Sequence, residues 1–137
     1  MPCTDILSCH PDELHLAITS DEPYTIGTWF MAKRAGSIEL CKLGEMLGVG
    51  TYKEISGGFR LVGEPLPEGP WPESIPEELL SAMIEIDDSK IAEVASLWAK
   101  IDEFRGAANA GDLALYLKNL RSFLSANRGD FFLVNSL

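Results

Sequence analysis

"RGDFFLVNSL", residues 128–137, is the stretch on which the reading of this chain turns. Its last seven letters combine aromatic and β-branched residues that suit a pleated, half-buried surface, and they are too apolar for a solvated tail. Gly129 reads as the close of a preceding helix, with Asp130 leading into a strand. A terminal strand is ordered only when it is tied into a sheet, so this segment demands a partner elsewhere. The simplest partners are a short strand near the start of the chain or one within "FRLVGE", residues 59–64. The first three letters also spell a cell-adhesion tripeptide. That role needs an exposed extracellular loop, whereas here the tripeptide joins a helix to a strand.

Upstream, the helical signals are strong. From Asn109 or Gly111 onward, Leu113, Tyr116, Leu117, Leu120, Phe123 and Leu124 form one apolar stripe. Before them, Ile91, Val94, Ala95, Trp98, Ile101 and Phe104 follow the i, i+3, i+4, i+7 rule for about four turns, behind a cap at Asp87 or Asp88. The loose "GAANAGD" between the two stripes is short enough to imply antiparallel helices. "SIPEELLSAMIEI" reads as a third helix, with a capping box from Ser74 and Glu77 and with Leu79, Leu80, Met83 and Ile84 facing one way. "PLPEGPWPESIP", residues 65–76, holds five prolines, which cannot donate to a ladder or sit inside a helix, and is expected to be a loop or an extended crossing segment, stapled by Trp71.

In the first half, Ser37 is positioned to cap a helix through Leu40, Leu43 and Leu47 that Gly48 and Gly50 terminate, and "TYKEISGG" follows as a turn. "CTDILSC" suits a short strand, and "HPDELHLAI" a helix with Pro11 in its first turn. "TIGTWFMA" fits either extended chain or an apolar loop. These elements make a helix-rich α+β fold, a single domain over residues 1–137 with a small mixed or antiparallel sheet that includes the C-terminal strand.

The run "GPWPESIPEELLSAMIEIDDSKIAEVASLWAKIDEF", with the leucine-striped helix and the apolar strand ending in Ser136 and Leu137, resembles a group of small uncharacterised bacterial proteins. Their shared pattern is a proline-initiated helix, a helix with a central tryptophan such as Trp98, and a final strand closing on Ser-Leu. The resemblance spans roughly residues 38–137. It implies a fold and a bacterial, cytoplasmic setting, and carries no activity.

Composition sets further bounds. With 137 residues, 46% of them hydrophobic and 23% charged, the chain has the make-up of one globular domain. No apolar run is long enough to span a bilayer, and "MPCTDILSCHPDEL" lacks a signal peptide's basic start and continuous apolar core, which together point to the cytoplasm. The odd set of Cys3, Cys9 and Cys41 fits a reducing compartment. The net charge of −10 is concentrated in residues 62–105, which hold eleven acids and three bases. Such a field disfavours phosphate backbones and attracts basic partners.

Catalytic patterns are weak. His10 and His15 are the only imidazoles, there is no G-x-S-x-G elbow, and Ser56 beside Gly57 and Gly58 lacks a strand-to-helix frame. Cys3, Cys9 and His10 match no common zinc spacing, so neither metal nor cofactor is expected. The acid pairs Glu77–Glu78, Asp87–Asp88 and Asp102–Glu103 are explained by helix starts and a solvated helix face. "GVGTYKEISGG" has the wrong glycine order for a phosphate loop. Trp29 and Phe30 beside Lys33 and Arg34 imitate a stacking platform, but two bases do not outweigh a −10 chain. Trp98 and Tyr116 read as core, and Trp71 as the aromatic most suited to contact a partner.

The residues therefore favour a non-enzymatic protein that binds another protein, a basic one, through an acidic face comprising Glu64, Glu68, Glu93 and Glu103 with Trp71. An immunity-type inhibitor that neutralises a toxin is one concrete form. The alternative is a small-ligand-binding protein or enzyme with a pocket near the proline-rich loop, walled by Trp71. A homodimer pairing its final strand across a two-fold is a third form.

Overall fold

The computed structural model describes residues 3–22, 24–33, 35–64, 66–127 and 129–136, with Cys3 described by its backbone. "FFLVNSL" is a strand: β5 (Asp130–Ser136) lies at the centre of a five-stranded antiparallel sheet of order β2-β1-β5-β4-β3. It pairs on one side with β1 (Cys3–Cys9), setting Ile6 opposite Leu133 and Cys3 opposite Ser136. On the other side it pairs with β4 (Trp71–Ser74). The strand in "FRLVGE", β3 (Arg60–Leu61), is two residues long and pairs with β4 rather than with β5. β2 (Thr28–Lys33) forms the opposite edge, so the extended reading of "TIGTWFMA" is the correct one.

Within the proline-rich segment the extended alternative holds over Trp71–Ser74, and there it is a sheet strand, which the prolines argued against. Pro72 is buried inside the sheet, and its carbonyl accepts from the Val62 amide at 3.0 Å. A strand residue's N–H and C=O point to the same neighbour, so Pro72 turns its missing donor toward the short β3 side. Its ladder with β5 therefore loses no hydrogen bond, and the usual objection to proline in a sheet does not apply. The Trp71 indole donates to the Leu66 carbonyl at 2.8 Å, closing the loop it was expected to staple. The Gly69–Pro70 bond in that loop is cis.

The helices α2 (Ser37–Met46), α4 (Glu77–Glu85), α5 (Asp88–Trp98) and α6 (Ala110–Ala126) cover one face of the sheet. Leu40, Leu79, Ala95, Trp98, Leu120 and Leu133 meet there with no exposed surface. α5 packs antiparallel on α6: Arg121, late in α6, bonds Asp88 at the start of α5, while Trp98 at its end lies 5.8 Å from the Tyr116 ring. The second face has a smaller core, in which Leu7, Cys9, Phe132 and Val134 pack under Leu14 and Ala17 of α1 (Leu14–Thr19). A 3-10 turn over Pro11–Glu13 starts α1. Both faces of β1 and β5 are thus buried.

Several boundaries differ from the sequence reading. Gly36, not Ser37, is the N-cap of α2, with its amide bonded to the Glu39 carboxylate. "TYKEISGG" contains a one-turn helix, α3 (Tyr52–Ser56), closed by a reciprocal Thr51–Glu54 capping box. Ser74 ends β4 and donates to the Arg60 carbonyl, and α4 starts after Pro76 with no side-chain cap. Ile84 is exposed rather than facing inward with Met83. α5 stops at Trp98, and Phe104 reaches the core from a separate 3-10 turn at Asp102–Phe104. Asn109 caps α6 by accepting from the Asp112 amide. At its far end Asn127 takes the closing role assigned to Gly129, donating to the Phe123 carbonyl at 2.8 Å. Gly129, at φ 134°, turns the chain into β5 beside the Cys9 carbonyl. Of the adhesion-like tripeptide, Arg128 lies outside the described residues, as do Arg34 and Leu137.

Candidate functional site

The five residues expected to bind a partner occupy three separate parts of the chain. Glu64 and Glu68 are exposed in the connection between β3 and β4, Trp71 is half-buried at the start of β4, and Glu93 is exposed on α5. Glu103 lies in the 3-10 turn after α5 and is bonded to the Lys42 ammonium of α2. That bond holds its carboxyl below the usual range and raises the lysine. Among the described residues, no hydrogen bond or ion pair joins any two of the five.

The wider acidic region is more informative. Of the eleven acids in residues 62–105, Asp88 is paired with Arg121 at 2.6 Å, Glu103 is paired with Lys42, and Glu73 is half-buried. Burial pushes the Glu73 carboxyl upward. The other eight are exposed, and among the described residues no cation approaches them within ion-pair distance. Glu77 and Glu78 open α4, and Asp87 is the N-cap of α5 without a side-chain cap bond. Their charge therefore faces solvent, where helix N-termini stabilise it.

The nucleophile and ligand candidates are otherwise engaged. His10 Nδ1 accepts from the Asp12 amide at 3.2 Å and caps the 3-10 turn. Cys9 and Cys41 are buried, and burial is the largest cause of their raised thiol values, followed by neighbouring carboxylates; Cys41 reaches about 11. Both stay protonated at neutral pH, the unreactive form. Among the described residues no three His, Cys, Asp or Glu side chains come together in a way that could hold a metal, and no helix is long and apolar enough to cross a membrane. Trp29 and Phe30 point to opposite faces of β2, because strand side chains alternate. Phe30 packs against Tyr116 and Phe123, which rules out a shared stacking platform.

Two concavities were not legible in the sequence. The larger, ≈ 450 Å³, is an open groove between the end of β2 and the first half of α6, walled by Ala32, Phe104, Leu113, Leu115 and Tyr116, with Lys33 and Asp112 at its rim. The Tyr116 hydroxyl donates to the Ala32 carbonyl at 3.2 Å, and burial drives its ionisation far above the ordinary range. Lys33 has φ 56°, an uncommon left-handed conformation for a side-chain-bearing residue. This volume lies within the range of small-molecule sites, roughly 300–1,000 Å³. Trp71 lines neither of these two concavities, while Pro70 of the proline-rich loop lines the smaller one.

The smaller cleft, ≈ 110 Å³, is on the second face of the sheet and includes Asp5, Ser20, Tyr24, Trp29 and Pro70 of the proline-rich loop. Asp5 is 9% exposed within β1, and burial raises its carboxyl. The Tyr24 hydroxyl donates to its Oδ2 at 3.3 Å. A charged letter inside the apolar "CTDILSC" was the available signal. No protein family, curated protein or solved structure matches this chain.

Proposed function

We propose that this protein acts by binding another protein that presents a basic surface, using the acidic segments between Glu64 and Glu103. The supporting observation is the set of eight exposed carboxylates in residues 62–105 that have no cation within ion-pair distance among the described residues. A carboxylate field with no cation beside it among the described residues is available to steer a cationic partner. An inhibitor that neutralises a basic enzyme or toxin is the form that best suits a small protein of this charge.

The test is affinity capture on the full chain, followed by stopped-flow association with the recovered partner across a salt series. The on-rate is expected to fall steeply with salt. In a Glu77→Lys/Glu78→Lys/Glu93→Lys variant it is expected to drop by roughly tenfold at low salt and lose most of its salt dependence. An on-rate that neither salt nor charge reversal changes overturns the reading. The ≈ 450 Å³ groove beside Tyr116 supports a second reading, a small-ligand site.

A further inference from the structure

We propose that the cleft at Asp5, Tyr24 and Trp29 binds an alkylammonium group, with the Asp5 carboxylate as its counter-ion and the two aromatic rings as its wall. Its recognising groups, Asp5, Tyr24 and Trp29, lie outside the acidic segments of residues 64–103, of which only the uncharged Pro70 lines the cleft, so the site stands whether or not those segments bind a partner.

The first ground is an undercompensated buried charge. Asp5 is 9% exposed in a strand with neighbours on both sides, and a carboxylate so placed is costly unless it is paired and well bonded. Among the described residues its one hydrogen-bond donor is the Tyr24 hydroxyl at 3.3 Å, longer than the roughly 2.5–3.0 Å of a good O–H···O bond. No described lysine or arginine lies within ion-pair distance. A bound cation would supply the missing compensation.

The second ground is the wall. The Tyr24 and Trp29 rings meet edge to face, with centroids 5.2 Å apart and planes at 89°. The Trp29 indole N–H is tethered to the Ile26 carbonyl at 2.9 Å, which fixes the ring's orientation. Tyr24 is held at φ 67°, a left-handed conformation that costs energy for a bulky residue. Fixed aromatic rings beside a carboxylate are the chemistry that attracts ammonium groups. Ile18 and Val134 offer apolar contact to the carbons of such a ligand, and Ser136 also lines the cleft.

Other ligand classes fit less well. Asp5 repels an anion, and a neutral molecule leaves the carboxylate uncompensated. A hard divalent cation needs six or more oxygen ligands, more than one carboxylate and a few hydroxyls provide. At ≈ 110 Å³ the cleft has room for only about three or four waters, so the ligand part inside it is a small primary or methylated ammonium.

The experiment is a ¹H–¹⁵N titration of the full chain with ethylammonium and, separately, with Nα-acetyl-lysine N-methylamide, with ethanol as the neutral counterpart of ethylammonium. Saturable shifts of the Trp29 indole and of the Ala17 and Ile18 amides are expected with an ammonium probe and absent with ethanol. Binding of the capped lysine assigns a protein-borne source, and binding of ethylammonium alone a free amine. Asp5→Asn is expected to weaken binding by roughly tenfold or more, and Trp29→Leu by about threefold. If Asp5→Asn loses its dispersed spectrum, Trp29→Leu decides. The proposal is overturned if neither probe gives saturable shifts, if ethanol matches ethylammonium, or if a folded Asp5→Asn or Trp29→Leu binds as tightly as the parent.

Discussion

Removing residues 133–137 takes away the inner half of the central strand, and the shortened chain is expected not to fold. Leu133 is fully buried against the helices, and Val134 is 4% exposed on the other face. Burial of these two side chains contributes about 3–6 kcal/mol. The deletion also strips pairing from both neighbours, since Leu133 opposes Ile6 and Glu73, and Val134 opposes Asp5 and Pro72. Each lost ladder bond adds about 0.5–1.5 kcal/mol. What remains of β5 is Asp130–Phe132, which meets β4 only at Ser74, so β1–β2 and the very short β3–β4 pair are barely joined, and two-stranded ribbons are marginal at best. A domain of this size has about 5–15 kcal/mol in all, so the loss consumes most or all of it. The assay is thermal unfolding followed by circular dichroism. Leu133→Ala in the full chain serves as a graded control, expected to cost about 2–5 kcal/mol, a fall in Tm of roughly 10 °C or more. A truncated chain that melts cooperatively within a few degrees of the parent refutes the central placement of β5.

The pH response of Asp5→Asn has a definite sign. Burial raises the folded-state carboxyl of Asp5 above 3.8, so its charged form is a liability above that raised value, and the liability disappears as pH falls toward 3.8. Asp5→Asn is therefore expected to melt higher than the parent at pH 7 and level with it near pH 3; an equal gap at both pH values contradicts the assignment. Asp88 and Glu103, lowered by their bonds from Arg121 and Lys42, lose stability as pH falls, but equally in both chains. Gly44→Ala sets a Cβ 2.8 Å from Ile55 Cδ1 and 3.0 Å from Leu79 Cδ1. Overpacking of about 1–3 kcal/mol is expected to exceed the helix-propensity gain of at most about 1 kcal/mol, and a stabilised variant in urea titration would show that the pocket can relax. Trp98→Phe removes the N–H that bonds the Glu39 carbonyl at 2.9 Å and leaves space beside Phe104 and Tyr116. A loss of about 3 kcal/mol is expected, and a change of less than about 1 kcal/mol in urea titration counts against that bond.

What the letters revealed depended on whether local pattern and tertiary context agree. α6 and the core face of α5 were legible because their leucines, Ile91, Val94, Ala95 and Trp98 repeat with the helical period. "FFLVNSL" was legible because so apolar a run has few solvated alternatives. β4 was hidden, since proline is penalised in a sheet unless its nitrogen is turned away from the ladder it would break, and only the Val62 amide's bond to the Pro72 carbonyl reveals that it is turned away from β5. The second core was missed for a different reason. Leu7 and Cys9 point away from Ile6, but a seven-residue strand with polar letters interspersed does not announce that both its faces are covered. Asp5 and the Tyr116 groove depend on elements brought together from distant parts of the chain, which no window of sequence contains. Glu93 and Glu103 were read correctly as acids on the outside, whereas the bond between Glu103 and Lys42 needed the packing of α2 beside the turn after α5.

The pairing of β1 with β5 also has a kinetic consequence. Thr4 and Asn135 touch across 131 residues of sequence, so closing the middle of the sheet brings together segments separated by that whole span. Closing so large a loop costs entropy before any contact repays it, and folds dominated by such long-range pairing form slowly. The α5–α6 hairpin, whose contacts are local, is free to form first. During synthesis the sheet cannot be completed until residues 130–136 have cleared the ribosome, and until then β1 carries an unpaired inner edge that is open to mispairing.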